Sequence, residues 1–564
     1  MGIRDLWLAL SPASQSRTLT QVAVTEGFEY QRHRDRCLII GVDASIWMNE
    51  AQMAVKFRPG QGTRSGENPA LRILFYRLCR LMTLPIIPVF VFDGPDRPSV
   101  KRGAQVKGKP HWLSSPLKKL IEAFGFFWYM APGEAEADLA ELNRRGFVDA
   151  IFSEDNDNFV FGACCVIRTS NVKDAGDQVN IFNSESIRTD VRVSLTREGL
   201  FLMAILCGGD YDNGVGLEGC GWKTARLLAQ SKLATSLFIA ASTLSSREKL
   251  REFLRGWRDE FRTLLVHDPQ NILGRKYPSL AKKITNSFPS VDLILQYAQP
   301  LTSWTTDQIP DTTSWHLRRP RLAEIATLCE KYFSWASSGD IVSRFKATLW
   351  PGIAIRYILQ LPDSDTRLAY YTNNAVVPGG LANIHVLRIC QARLGPGARS
   401  THPDVSGYTI QISMHDILRE TALELDSASR SLIEKSDCIK ISFWIPASIL
   451  GSALPDLIKR FKGQKVVAPI ATYAPVLTSS KPQQLKLSPR RIQKPTNNGA
   501  SSSFDSGNSL ANPIVIDNED EDNTIIVDDE LQNQEFIQGS STGMGLQPVF
   551  LGHINLCTPS PPPS

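Results

Sequence analysis

Five hundred and sixty-four residues of 62.6 kDa, 42% hydrophobic and 21% charged, describe a chain long enough to bury more than one core and exclude a small stapled scaffold. No apolar run reaches the roughly 18 residues of a membrane span, and the opening MGIRDLWLALSPASQ has neither a leader pattern nor, with Leu6 where Ser or Thr is needed, a full myristoylation signal. The net charge of +5 hides an asymmetry: residues 495–564 hold no Lys or Arg and ten Asp or Glu, which leaves 62 basic against 47 acidic residues, a balance of +15, in the rest. A basic body with an acidic tail fits a polyanionic partner such as nucleic acid and excludes no solvated surface.

Three unalternated apolar runs come first: CLIIGVDAS (37–45), IIPVFVFDG (86–94) and VDAIFSEDND (148–157). They read as buried parallel strands, separated by the helical segments LRILFYRLCRLMTL (71–84) and EAEADLAELNRRG (134–146). Residues 1–195 are therefore predicted to form an α/β domain with a wound, mainly parallel sheet. Helical patterns then run over 196–340, through TREGLFLMAILCGGDY, a glycine-rich hairpin, WKTARLLAQ and REKLREFLRGWRDEFRTLL. In residues 341–470 the strand-like IHVLRICQARLG, GYTIQISM and CIKISFWIPASIL precede ALPDLIKRF, a small sheet closed by a helix. Residues 471–564 are rich in Ser, Pro, Asn and Asp and are predicted to be disordered. The ten cysteines form no CxxC, which fits a reducing compartment.

Each early strand ends in carboxylates: Asp43, then Asp93, then Asp155 with Asp157. Ligands of open α/β sheets gather at strand carboxyl ends, so these side chains should converge. Glu134 and Glu136 open a helix entering the same edge, where the helix dipole alone would favour acids, and Asp210 in CGGDY is placed at the end of the next helix, where it would oppose the dipole. One such Asp in isolation reads more simply as a cap or turn. Seven together would repel one another unless cations neutralise them, and hard oxygen ligands without His or Cys specify Mg²⁺, with Mn²⁺ as substitute. Two such ions about 4 Å apart can activate water and clamp a phosphodiester.

The ordered set MGIRDLW, IIGVDASIW, VFVFDGP, APGEAEAD, SEDNDNFVFG and GGDYDNGVGLEGCGWKTA resembles the flap endonuclease/XPG family of structure-specific nucleases over roughly residues 1–300. The resemblance implies a PIN-like nuclease core and makes Asp43, Asp93, Glu134, Glu136, Asp155, Asp157 and Asp210 the metal-binding acids. DASIWMNEAQ and LRILFYRL are most similar to the GEN/Yen branch of Holliday junction resolvases, which implies a chromodomain-like module after the nuclease. It also implies a nuclear enzyme of recombination and repair that cuts Holliday junctions, 5′ flaps and replication forks, leaves 5′-phosphate ends, and assembles as two chains on one junction. A flap or bubble endonuclease that works as a monomer, and a junction-binding scaffold, are the alternatives.

GLEGCGWKTA is similar to a helix-hairpin-helix turn, with Gly219, Gly221 and Lys223 as expected DNA contacts and, by the resemblance, a K⁺ ion held through carbonyl oxygens. Gly2 is placed with the DNA contacts. Only forty residues separate Asp93 from Glu134, a low arch, within which Lys101 and Arg102 resemble cations that neutralise the scissile phosphate. Tyr408, Phe443 and Trp444 could form a methyl-lysine cage, although core packing is the simpler reading, and Lys459, Arg460 and Lys462 are candidate phosphate contacts. In the tail, Ile514, Val515, Ile516 and Ile525, Ile526, Val527 each precede acids and resemble SUMO-interacting motifs, and Ser488 in SPRR resembles a proline-directed phosphorylation site.

Overall fold

The structure, a computed structural model, describes residues 2–56, 67–101, 103–106, 110–170, 177–212, 214–335, 338–361, 385–394, 405–423, 425 and 440–466. Strands β1 (Gln15–Thr18), β2 (Leu38–Asp43), β3 (Ile86–Phe92), β6 (Phe127–Met130), β7 (Ala150–Phe152), β8 (Cys165–Thr169) and β9 (Gln178–Asn183) form one sheet in the order β1-β9-β8-β7-β2-β3-β6. Five of them run parallel, while β9 is antiparallel to β8 and β1 to β9. The parallel centre follows from sequence. Every residue of β2 and β3 is buried, and a run apolar on both faces is stable only with helices on both sides. Leu38, Ile40, Val42 and Phe90 face one core, and Ile39, Val89 and Val91 the other. The strands β1 and β9 at one side of the sheet are shorter or more polar, as in QSRT and QVNIFN, and carry no such signature.

Between β3 and β6, β4 (Val100–Lys101) and β5 (Ala104–Gln105) pair as a two-stranded hairpin, so the low arch projects as a hairpin. The predicted helices appear as Pro69–Met82, Ala135–Arg144, Arg197–Cys207, Trp222–Ala229 and Arg247–His267. Ser246 caps the last of these by accepting from Lys249 N, and Leu250, Leu254, Trp257 and Phe261 form its buried stripe. Trp47 is core, as the plain packing reading has it, edge-on to Phe90 and Phe152.

Beyond residue 341 the helix Trp350–Leu359 packs on Pro69–Met82. From it the buried Arg356 donates to the carbonyls of Leu81 (3.5 Å), at the C-terminal end of that neighbouring helix, and of Ile86 (2.5 Å), the first residue of β3. This helix belongs to the nuclease core, so a unit cut at 341 would carry part of that core away. The small sheet follows, β10 (His385–Leu394), β11 (Ser406–Ser413) and β12 (Lys440–Pro446), antiparallel with β11 central, and the helices Ala447–Ala453 and Pro455–Val466 close it. Its buried Ile410, Ile412 and Ile445 share one hydrophobic cluster with β2 and β3. Tyr408 and Phe443 face that core, whereas Trp444, next along β12, falls on the opposite face because strand side chains alternate; the three do not form a cage.

Candidate metal centre

All seven acids meet at the carboxyl edge of the parallel strands. Asp43 is the last residue of β2, and its Oδ1 accepts from Ile46 N at 3.0 Å. Asp93 follows β3 and accepts from Ser45 Oγ (2.7 Å) and Ala135 N (3.0 Å), which ties it to the entering helix. Glu134 is the N-cap residue of that helix but makes no capping bond; its carboxylate accepts from Tyr211 Oη, and Glu136 lies in the first turn. Both sit where the helix dipole favours acids, so the dipole accounts for acids at this helix start; their convergence with the strand-end carboxylates is what goes beyond it. Beyond β7, Asp155 Oδ1 accepts from Asp157 N (3.1 Å), and Asp157 opens a short helix. Asp210 does not end a helix: Arg197–Cys207 stops three residues earlier, with Gly208 (φ +81°) as its C-cap, and Asp210 lies in the turn beyond.

Carboxylate oxygens of Glu136, Asp155 and Asp210 lie within 4.8 Å of one another, close enough for one cation. Lys101, from the β4–β5 hairpin, reaches into this cluster, its Nζ 2.5 Å from Glu134, 2.9 Å from Glu136 and 3.4 Å from Asp210. A cation among oxygen ligands is what the donor set is built for, and the ammonium stands in for it, so the residues fit hard divalent ions. Arg102 lies outside the described residues. Gly2 sits on the acid loop: at its φ of +78° an added Cβ would fall 2.3 Å from oxygens of Asp155 and Asn156, a space only glycine can occupy. Ile3 N donates to Asn156 Oδ1 (2.7 Å) and Asp157 Oδ1 (3.1 Å), a tie between chain start and acid loop that sequence reading did not find.

Burial, and then neighbouring acids, push the Asp43 carboxyl from 3.8 up to about 8. Burial likewise raises Asp155, Asp157, Glu134 and Glu136, the last two against the pull of Lys101. Burial works against the Lys101 charge, but Glu136, Glu134 and Asp210 together outweigh it and hold the ammonium above its ordinary range. Two tyrosines, also missed in sequence, floor the cluster: the half-buried Tyr211 on Glu134, and the buried Tyr297 with its hydroxyl 3.5 Å from Asp157 and its ring 4.8 Å from Tyr211. Their signal in sequence was weak, since Tyr297 follows Asp157 by 140 positions.

In the hairpin, Gly219 takes φ +87° and Gly221 is open, with nothing within 4 Å of an added Cβ; Lys223 is exposed in the first turn of Trp222–Ala229. Lys459, Arg460 and Lys462 are exposed on the last helix. Ser488 and both hydrophobic-acidic motifs lie outside the described residues, as does the whole segment read as disordered.

A mostly parallel α/β sheet with a carboxylate cluster on its carboxyl edge and a glycine hairpin beside it defines an XPG-type nuclease fold. Residues 1–111 match the XPG N-terminal domain and residues 125–210 the XPG I-region. The human flap endonuclease GEN homolog 1 is 31% identical over 255 residues, which cover 42% of this chain and 26% of the human protein. The chain thus spans about a quarter of the length of the curated relatives it first matches. Among solved structures, a eukaryotic junction-resolving enzyme GEN-1 with cesium superposes with a TM-score of 0.64 at 24% identity, over 82% of this chain and all of that one. The Holliday junction-resolving enzyme GEN1 with product DNA and Mg²⁺ has a TM-score of 0.58 at 23% identity, over 82% and 99%. Two segments of the chain thus match domains of the XPG family, and the chain is similar to proteins of that family's GEN branch.

Proposed function

We propose that this protein is a Mg²⁺-dependent endonuclease that cuts branched DNA: Holliday junctions, 5′ flaps and replication forks. The observation that carries the proposal is the carboxylate cluster at the carboxyl edge of the sheet, where Glu136, Asp155 and Asp210 lie within one cation's reach and the Lys101 ammonium pairs with Glu134, Glu136 and Asp210. Asp43, Asp93, Glu134, Glu136, Asp155, Asp157 and Asp210 would hold the ions. Bound there, two Mg²⁺ would supply a lowered pKa for attacking water and charge stabilisation at the leaving oxygen. The chain's own groups do the rest. Tyr211 and Ala135 N fix Glu134 and Asp93, and Lys101 supplies positive charge for a phosphodiester. Gly219, Gly221 and Lys223 offer backbone approach and charge to a duplex arm, with K⁺ at the hairpin, and Gly2 would meet DNA beside the acid loop.

The related enzymes described as junction-resolving and bound to product DNA support this substrate class. On a four-way junction two chains would act together, giving 5′-phosphate ends, in the nucleus, with SUMO or sumoylated proteins held through Ile514–Ile516 and Ile525–Val527. Side-by-side digestion of one immobile four-way junction and one 5′ flap with Mg²⁺ tests the reading. Cleavage of both is expected. Cleavage of the flap alone by single chains would make it a flap endonuclease, and binding without cleavage a scaffold.

A further inference from the structure

Trp112 is 54% exposed, although an indole offers more apolar area than almost any side chain. Single exposed hydrophobics are common and need no account; this one is braced and placed. The His111 ring stacks against it at 5.9 Å and 28°, and His111 is itself held by Gln52 Oε1 (3.3 Å), on the helix that begins directly after Asp43, and by Leu113 N (3.2 Å).

Topology fixes where the platform stands. The helix Ser114–Ala123 hands over to β6 at the amino edge of the sheet, so its own first turn lies at the carboxyl edge, with the acids. Lys118, in its second turn, already touches strand ends at that rim, 4.7 Å over Phe92, the neighbour of Asp93, and 3.0 Å from Met130 Sδ, the last residue of β6. Ser114 is roughly 6 Å of helix farther out, and Trp112 lies beyond it. Lys119 is exposed on the same helix. The rim therefore carries an ordered aromatic face with cations behind it.

We propose that Trp112 is a stacking platform for an unpaired nucleobase at the branch point, an assignment that rests on the nuclease reading above. Base stacking on an aromatic ring is tolerant of sequence because every base has a π face, and neighbouring lysines hold the backbone. A continuous duplex exposes no such face, so the platform selects branched over unbroken DNA.

The test uses the full chain carrying Asp155→Asn, so that binding is read without cleavage, and DNA with 2-aminopurine at the unpaired position beside the branch of a 5′ flap, in the base pair that flanks the crossover of a four-way junction, or within a continuous duplex. Binding should change the probe's fluorescence in the branched DNAs. Adding Trp112→Ala should remove that change and weaken flap affinity about tenfold, leave duplex affinity within about twofold and leave the melting temperature unchanged, while Trp112→Phe should keep most of both signals. An unaltered probe signal in Trp112→Ala, or an equal loss on duplex, overturns the platform while the nuclease reading stands. Failure of the unsubstituted chain to bind or cut any branched DNA overturns both.

Discussion

Asp43 binds its proton more tightly in the folded chain than in the unfolded one, because burial, and then Asp93 and Asp155, lift its carboxyl from 3.8 to about 8. As pH rises through that window the unfolded state has already released the proton, so the folded state loses stability relative to it. Asp43→Asn should therefore melt above the parent near pH 8 without divalent ions, with the gain vanishing below pH 4; equal melting curves at both pH values would remove the repulsion argument. The same substitution, or Asp155→Asn, should cut turnover by at least about 10²-fold, the scale of losing a preorganised electrostatic stabiliser, while junction binding in a gel-shift assay survives. At this scale the sequence was most legible: strand-end carboxylates are chemically loud. Tyr297 and the Ile3 tie were silent, since contacts formed by distant segments leave no periodic trace.

Strand and helix signals were clear where both faces of an element are buried, as in β2 and β3, and faint in β1, β8 and β9, which mix polar with apolar residues. The hairpin offers a direct test. With Gly219 at φ +87°, Gly219→Val forces a β-branched residue into the left-handed region and fills the space a phosphate would approach. Affinity for every duplex arm should fall with little sequence dependence, and an unchanged salt slope in fluorescence anisotropy would leave the turn as packing alone. Arg356 marks another boundary the sequence hid. A buried arginine that donates to the carbonyls of Leu81 and Ile86 looks like any surface charge in one dimension. Arg356→Met should cost about 2–4 kcal/mol by urea unfolding, since two carbonyls lose a charged donor inside the core.

For the whole molecule, removal of residues 341–466 takes the Trp350–Leu359 helix with it and should destabilise the nuclease sheet, whereas removal of 385–466 leaves that helix in place. Thermal melts of the two truncations should differ by several degrees, the longer deletion being worse. Because a single cluster of buried side chains runs from β2 to β11, tolerance to substitution will follow connection to that cluster and not distance from the acids. In a saturation library selected for cleavage, Ile410, Ile412 and Ile445, each with no exposed surface, should reject polar residues as firmly as positions beside Asp43. Loss-of-function variants of such a protein would then concentrate in β11 and β12 as well as at its carboxylate edge.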